Sequence, residues 1–211
     1  NIPIGMFRGM VTRQPDVTRE KILEAAFKEI HRNGFQAASL SNILAKTGLT
    51  KGALYHHFPD KNRLGYAVVE EVIRNSLEDL VLAPLRATDD PIPTLCQVLE
   101  RKAERSDADS VKLGCPLNNL MQEMSPLDPE FKRRLTEILK IWQDVVTEAL
   151  KRGQRRGRVR ADVDCRAAAL FIVSAYEGCV GIAKNLQSAK EFRLCVRQLL
   201  TYIQGLRGKT R

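Results

Sequence analysis

The sequence predicts an all-α protein of about nine helices, in which an N-terminal three-helix helix-turn-helix domain precedes a larger C-terminal helical domain. Apolar residues recur at helical spacing along most of the chain. No stretch shows the strict alternation of a half-buried strand. Aromatic residues make up only 6% of the composition, whereas hydrophobic residues as a whole make up 44%, which is ample for a packed helical core.

Residues 16–66, called the headpiece below, are predicted to form the first domain. A helix over 18–33 ends at Gly34, which suits a C-terminal cap. The segment 39–58 holds two short helices around Gly48, a residue that permits a tight turn. This arrangement is typical of a helix-turn-helix, whose second helix enters the major groove of DNA.

Polar residues on the outside of this segment are of the types that contact DNA. Hydroxyl caps and the exposed amides beside them can hold phosphates, lysine adds charge, and glycine lets the backbone approach closely. Residues 1–66 hold ten Lys or Arg and five Asp or Glu, a net charge of +5 within a chain whose formal charge is +9. The predicted DNA-contacting residues are Ser39, Thr50, Lys51, Gly52, Tyr55, His56 and Lys61.

Structural roles are an alternative for the ring side chains of this segment. Tyr55 could be a core aromatic, and Phe58 is expected to be one. His56 and His57 do not predict a metal site, because neighbouring residues on a helix point about 100° apart and no acidic or cysteine partner has suitable spacing. His57 is expected to pack or cap rather than read bases.

The headpiece resembles the TetR family of bacterial regulators. The resemblance covers 18–66 and lies in Gly34-Phe35, in Leu49-Thr-Lys-Gly-Ala-Leu-Tyr-His-His-Phe58 and in Asp60-Lys61. It implies a homodimer on double-stranded DNA with a palindromic operator, with the last two helices forming the dimer interface. It also implies release from DNA when a small-molecule effector enters the C-terminal domain.

Residues 67–211, called the body below, are predicted to form the second domain. The fourth helix, over 60–82, leads into it and is followed by a break from Pro84 to Pro93. Beyond that break, helices are expected over 92–106, 117–124, 130–155, 164–185 and 188–206, with an irregular patch at 106–116.

A ligand site is predicted in the body. The segment 114–124 mixes leucine and methionine with amides, which fits an apolar pocket with a few polar anchors, although ordinary core packing explains the same residues. Trp142, the sole tryptophan, is a candidate for the pocket wall. The predicted ligand-binding residues are Cys115, Leu117, Asn118, Met121, Trp142 and Glu177.

Glu177 is the only charged residue in the apolar run 167–183, so it is expected to be at least partly buried. Burying a carboxylate costs several kcal/mol unless it is paired or hydrogen-bonded. Three alternatives follow: it binds a cationic or hydroxylated ligand, it ties two subunits together, or it is satisfied within the fold.

The last two helices are expected to form an intersubunit four-helix bundle. Small residues from Ala175 to Gly181 would let another helix approach, and the final helix would contribute Phe192, Val196, Leu199 and Ile203. Packing within one subunit could use the same residues. The run 167–183 is too interrupted to predict a membrane span.

Cysteine and charge patterns complete the expectations. The five cysteines form no C-x-x-C pair and are expected to be reduced thiols in a cytoplasmic protein, with a redox role for Cys115 left open. The basic run 151–160 is expected to be a solvated helix end rather than a second nucleic-acid patch. No secretory signal is predicted in residues 1–9.

No enzyme is predicted, because the sequence holds no G-x-S-x-G, phosphate loop or H-E-x-x-H motif, and no cofactor, metal or membrane partner is expected. The alternative function is a DNA-binding protein that acts architecturally without a ligand. The size of the body argues against it, since dimerisation alone needs fewer residues.

Overall fold

Residues 17–208, which the computed structural model of the protein describes, fold into helices joined by short turns. Within them no strand forms beyond an isolated bridge between Val159 and Arg207. The all-α prediction is confirmed. Residue 16, at the start of the predicted headpiece, residues 209–211, at the end of the predicted body, and the stretch 1–9 lie outside the described residues.

The helices match the nine that were predicted, with one short helix added. They are α1 (Val17–Asn33), α2 (Leu40–Thr47), α3 (Lys51–His57), α4 (61–87), α5 (Pro91–Glu104), α6 (Ala108–Leu113), α7 (Pro116–Met124), α8 (Pro129–Arg155), α9 (Cys165–Leu186) and α10 (Ala189–Gly205). The added helix is the six-residue α6, within the patch expected to be irregular. Asp107 and Ser110 form a capping box at its start.

The turns of the headpiece form where the cap residues lie. The Ser39 hydroxyl accepts a hydrogen bond from the Asn42 amide at 3.4 Å and begins α2. Gly48 ends α2 with a φ of 69°, a left-handed conformation that glycine adopts without strain. Buried apolar residues then hold the three helices together: Ile22, Ala26, Ile43, Leu54 and Phe58.

α4 joins the headpiece to the body as one continuous helix. It contains two π-helical stretches, Val68–Ile73 and Glu78–Leu82, and continues through Pro84 to Ala87. The predicted end of this helix at 82 is therefore wrong, because the chain leaves the helix only at Thr88. Buried residues along α4 belong to one core that extends from the headpiece into the body.

The body is built around α8. Its buried residues repeat at helical spacing and pack against α9, which in turn packs against α10, and α10 packs against α5. Asp128 begins α8 by accepting hydrogen bonds from the Glu130 and Phe131 amides, at 2.8 and 2.9 Å. Of these helices, α5, α8 and α9 border the interior in which the ligand site was expected.

A disulfide joins α9 to α10, between Cys179 and Cys195. The expectation that all five cysteines are reduced is therefore wrong for this pair. The two residues are 16 apart in sequence, and the turn between the helices brings their Cα atoms to 5.6 Å. Cys96, Cys115 and Cys165 remain free thiols.

α9 is apolar on two sides. In the described part of the chain it is the one helix long and apolar enough to cross a membrane by length and composition. One side, with Ala169, Ile172 and Val173, is buried in the bundle, whereas Leu170 and Phe171 are about half exposed, at 51% and 50%. A helix whose two apolar sides both pack against other helices has the same composition as a membrane-spanning helix, so composition alone does not distinguish the two.

Candidate nucleic-acid interface and ligand cavity

α3 exposes its polar residues and buries its apolar ones. Leu54 and Phe58 pack inward, while Tyr55 is 47% exposed, which is high for an aromatic side chain. Packing within the subunit does not account for Tyr55, and the alternative of a core role is not supported. The exposed face carries four of the predicted contact residues: Lys51, Gly52, Tyr55 and His56.

The structure gives no internal reason for glycine at position 52. A Cβ atom built on Gly52 would meet only the Thr50 hydroxyl, at 3.8 Å, which is ordinary contact. Its backbone also lies outside the left-handed region. The absence of a side chain there leaves the first turn of α3 open to approach from outside.

The remaining predicted contact residues sit at helix starts around α3. Ser39 caps α2, and Thr50 caps α3 by accepting a hydrogen bond from the Ala53 amide at 3.2 Å. Lys61, at the start of α4, donates to the Gln36 carbonyl at 2.9 Å and lies 5.0 Å from the centre of the Phe35 ring. Any phosphate contact by Lys61 therefore competes with contacts inside the headpiece.

A buried glutamate holds the helix-turn-helix against α1. Glu29 is 1% exposed and accepts hydrogen bonds from four donors: Asn33, the Ser39 amide, Asn42 and Lys46. Hydrogen bonds from Lys46 and Asn42 lower its pKa to about 2. The sequence interpretation missed this residue, although the spacing of Ile22, Ala26 and Ile30 places position 29 on the buried side of α1.

Two contacts join the headpiece to α7 in the body. The Glu123 carboxylate accepts hydrogen bonds from the Phe35 and Gln36 amides, each at 2.8 Å. The His31 ring lies 3.0 Å from the Gly114 carbonyl oxygen, just before α7 begins. The turn that presents α2 is thus bound directly to α7.

The body contains an apolar cavity of about 130 Å³ between α4, α5, α7, α8 and α9. Its walls include Phe27, Leu77 and Val98, together with Trp142 and Tyr176, whose rings pack edge to face. Four of the six predicted ligand-binding residues line it: Cys115, Leu117, Trp142 and Glu177.

The other two predicted residues lie elsewhere. Asn118 lines a separate cleft between α1 and α7, beside His31 and Lys184. Met121 is not among the residues that line the cavity; it is partly buried and packs against the core. For Asn118 the reason is the 100° step of the helix, which turns its side chain away from the face that carries Leu117. Met121, four residues after Leu117, lies on the same side of α7 one turn further along, so its position along the helix rather than its direction separates it from the cavity.

Burial controls the protonation of the polar groups in the cavity. It raises the pKa of Glu177 to about 7, although the Cys115 thiol and the Lys102 ammonium favour the ionised form. Burial and the neighbouring Glu177 raise the pKa of the Cys115 thiol to about 12. A thiol that stays protonated at neutral pH is a poor nucleophile, which argues against the redox role left open for Cys115.

An exposed apolar face covers one side of α9 and α10. It holds Leu170, Phe171, Ile182, Leu186, Leu194 and Tyr202, all at least 37% exposed. A Cβ atom built on Gly178 or Gly181 would meet nothing within 4 Å, so packing within the described residues does not require glycine at either position. Of the two uses left open for the final-helix residues, packing within the subunit is the one the structure supports: Phe192, Val196, Leu199 and Ile203 are buried there and do not belong to this exposed face.

The basic run 151–160 is largely committed to contacts within the body. Arg152 donates to the Leu85 carbonyl at 2.6 Å, Arg156 pairs with Asp89 at 3.1 Å, and Arg160 donates to the Gly205 carbonyl at 3.0 Å. These contacts tie the end of α8 to neighbouring helices. They favour the interpretation of this run as a helix end over a second nucleic-acid patch.

Two family models match the chain. One, described as bacterial regulatory proteins of the tetR family, matches residues 22–68, the helix-turn-helix region. The other, described as the tetracyclin repressor-like C-terminal domain, matches residues 91–199, which is more than half of the chain. The first match includes the exposed α3 face, and the second includes part of the cavity lining and most of the exposed apolar face.

Characterised regulators and solved structures are similar along most of the chain. The transcriptional repressor DhaR of Mycobacterium sp. strain GP1 is 23% identical over 86% of this chain and 91% of its own length. The transcriptional regulator AcuR of Cereibacter sphaeroides is 27% identical over 87% and 85%. A TetR transcriptional regulator structure from Chloroflexus aurantiacus superimposes with a TM-score of 0.78 at 27% identity, covering 92% of this chain and 97% of that one.

Proposed function

This chain belongs to the TetR family of bacterial transcriptional regulators, and we propose that it represses transcription as a homodimer on a palindromic operator. A small molecule that enters the cavity of the body would release it from DNA. The family consists of DNA-binding regulators rather than enzymes. The proposed location is the cytoplasm, where the operator DNA lies.

The exposed face of α3 is the observation that carries the DNA-binding part of the proposal. Lys51 would contact a phosphate, and Tyr55 and His56 would reach the backbone or base edges in the major groove. Gly52 supports this role because its missing side chain serves no contact inside the subunit. Ser39, Thr50 and Lys61 would add phosphate contacts from the neighbouring helix starts.

The apolar face of α9 and α10 supports the homodimer. Two copies of this face would form a four-helix bundle across a two-fold axis and bury the exposed aromatic and aliphatic side chains. A two-fold dimer presents two copies of α3, and a palindromic operator with half-sites about 34–36 Å apart matches that symmetry.

The junction between headpiece and body supports release by a ligand. Cys115 and Leu117 line the cavity at the start of α7, and Glu123 near its end holds the Phe35 and Gln36 amides. A ligand that shifts α7 would therefore act on the turn before α2. Release requires that the ligand bind the released arrangement more tightly than the DNA-bound one.

Fluorescence anisotropy with a DNA fragment from upstream of the gene, containing an inverted repeat, tests the proposal. Lys51→Ala should weaken binding and reduce the slope of log K against log salt by about 0.9 for each lost phosphate contact. Lys140→Ala is the matched control, because Lys140 is an exposed lysine of the body. The same affinity and slope for Lys51→Ala and the wild-type protein would remove α3 from the interface.

The stoichiometry of binding tests the homodimer on a palindromic operator, and the response to ligands tests release from DNA. One dimer for each inverted repeat is expected, and a single repeat should bind much more weakly. Binding that none of a panel of apolar compounds weakens, although they fill the cavity, would favour an architectural protein over a ligand-released repressor.

A further inference from the structure

Glu177 is a buried carboxylate without a partner. It is 8% exposed, and neither carboxylate oxygen has a hydrogen-bond partner within residues 17–208. Of the three alternatives that the sequence left open, satisfaction within the fold is therefore not supported by hydrogen-bond geometry, and the Cys115 thiol and the Lys102 ammonium, which line the same cavity, only partly offset the effect of burial on the Glu177 pKa. The residue also lines the internal cavity rather than the exposed face of α9, so a tie between subunits does not account for it.

The surroundings of Glu177 favour a ligand with a positive charge on an apolar body. Trp142, Tyr176 and Phe27 present aromatic surface to the same cavity, and aromatic faces attract cations. The size of the cavity, about 130 Å³, suits a single ring, since engineered cavities of about 150 Å³ bind benzene.

Other charges restrict the number of cationic groups that the ligand carries. An adjoining cavity of about 500 Å³ shares Leu80, Val98, Cys115 and Tyr176 with the first. The adjoining cavity is lined by Arg101 and Arg105 against one acidic residue, Asp79, and Lys102 lines both cavities. A second ammonium group reaching that side would meet like charges.

We propose that the effector is a lipophilic monoamine, whose protonated amine pairs with Glu177 while its apolar body fills the space beside Trp142 and Tyr176. The inference rests on the proposed function in one respect, namely that this cavity is the effector site. Binding would give hydrogen-bond donors to carboxylate oxygens that have none within hydrogen-bond distance in the described residues, with the Cys115 thiol and the Lys102 ammonium as the nearby groups that already favour the charged form.

Three probes of similar shape test the charge preference directly. They are phenethylammonium, its uncharged analogue propylbenzene, and the anion hydrocinnamate. Binding is measured without DNA, through the fluorescence of Trp142, which is the only tryptophan in the chain and lines the cavity. Phenethylammonium should bind at least about tenfold more tightly than propylbenzene, as expected for a hydrogen-bonded charge pair. The dication p-xylylenediamine should bind more weakly than phenethylammonium.

Two variants assign the preference to its cause. Glu177→Gln should reduce the preference for phenethylammonium over propylbenzene to about twofold or less, while propylbenzene still binds. Lys102→Gln is the matched control in the same cavity, and it should change affinities in the opposite direction, strengthening the cation and weakening hydrocinnamate. Binding of propylbenzene by the Glu177→Gln variant also shows that the variant is folded and keeps its cavity.

The outcomes separate this inference from the proposed function. Equal binding of cation and neutral probe, tighter binding of hydrocinnamate, or an unchanged preference in Glu177→Gln would overturn the monoamine assignment, even if another compound releases the protein from DNA. Cation binding that depends on Glu177 but never weakens operator binding would support the site chemistry and contradict ligand release.

Discussion

The headpiece and the body each bury one glutamate in a long helix, and the two are opposite in their surroundings. Glu29 in α1 receives hydrogen bonds from four donors, and its pKa falls to about 2. Glu177 in α9 receives none within the described residues, and burial raises its pKa to about 7. Burial alone therefore does not identify a functional carboxylate; the presence or absence of partners does.

The difference follows from what each region does. The headpiece must present α3 in one orientation, and a fully bonded carboxylate fixes α1 relative to α2. Under the proposed function the body accepts a ligand, and an unpaired carboxylate in an apolar cavity lowers the stability of the fold while remaining available to bind that ligand. Glu123 lies between the two regions and holds backbone amides of the headpiece from a helix of the body.

The largest effect is expected when the bonded glutamate is removed. Glu29→Ala leaves Asn42 and Lys46 without their acceptor and should cost about 3 kcal/mol of unfolding free energy, the upper end of the range for hydrogen bonds to a charged group. Urea unfolding followed by circular dichroism measures it. Glu24→Ala is the control, because Glu24 is an exposed residue of α1 that pairs only with Lys28. Similar losses for both variants would mean that the four hydrogen bonds contribute nothing.

A smaller effect, of opposite sign, is expected at Glu177. Its folded pKa of about 7 lies above the ordinary value of 4.5, so the native state binds more protons between these values and loses stability as pH rises through this window. The unfolding free energy of Glu177→Gln relative to wild type should therefore rise by at most about 3 kcal/mol between pH 4.5 and 8.

Urea unfolding at several pH values gives this difference. Glu148→Gln is the control: Glu148 is exposed on α8 and hydrogen-bonded by Lys151, which lowers its pKa, so it stays ionised across the window. A difference for Glu177→Gln that does not change with pH would mean that the carboxylate is hydrated rather than buried.

The smallest effect is expected at the residue that joins the regions. Glu123→Gln keeps one acceptor oxygen and replaces the other with a donor, which cannot accept from an amide, at a cost of about 1 kcal/mol. Hydrogen exchange of the Phe35 and Gln36 amides should become faster, while the Leu54 amide in α3 stays protected. Unchanged exchange at Phe35 and Gln36 would show that α7 does not hold the headpiece turn.

Local patterns account for what could be predicted in each region. The caps at Ser39 and Thr50, the turn at Gly48 and the exposed polar side of α3 follow from short-range spacing, and the structure matches them. The burial of Glu29 could have been predicted from the same kind of spacing along α1, but it was missed because the residue is charged. The burial of Glu177 was predictable, since one charge in a long apolar run has few other places to lie.

Features that depend on two distant segments were not predictable in this way. The pairing of Cys179 with Cys195 depends on how α9 and α10 face each other. The separation of Asn118 and Met121 from the cavity depends on which side of α7 the other helices cover. On α9, both sides are apolar, and nothing in the sequence distinguishes the buried side from the exposed one.

The sequence by itself thus determined the helical class, the helix-turn-helix with its exposed residues, and a charged residue inside an apolar helix. The tertiary structure decided that Glu29 is bonded, that Glu177 is not, and which side of the last two helices remains exposed. The physical reason is that helix formation and capping act over a few residues, whereas burial and most hydrogen-bond partnerships of buried side chains depend on atoms contributed by other helices.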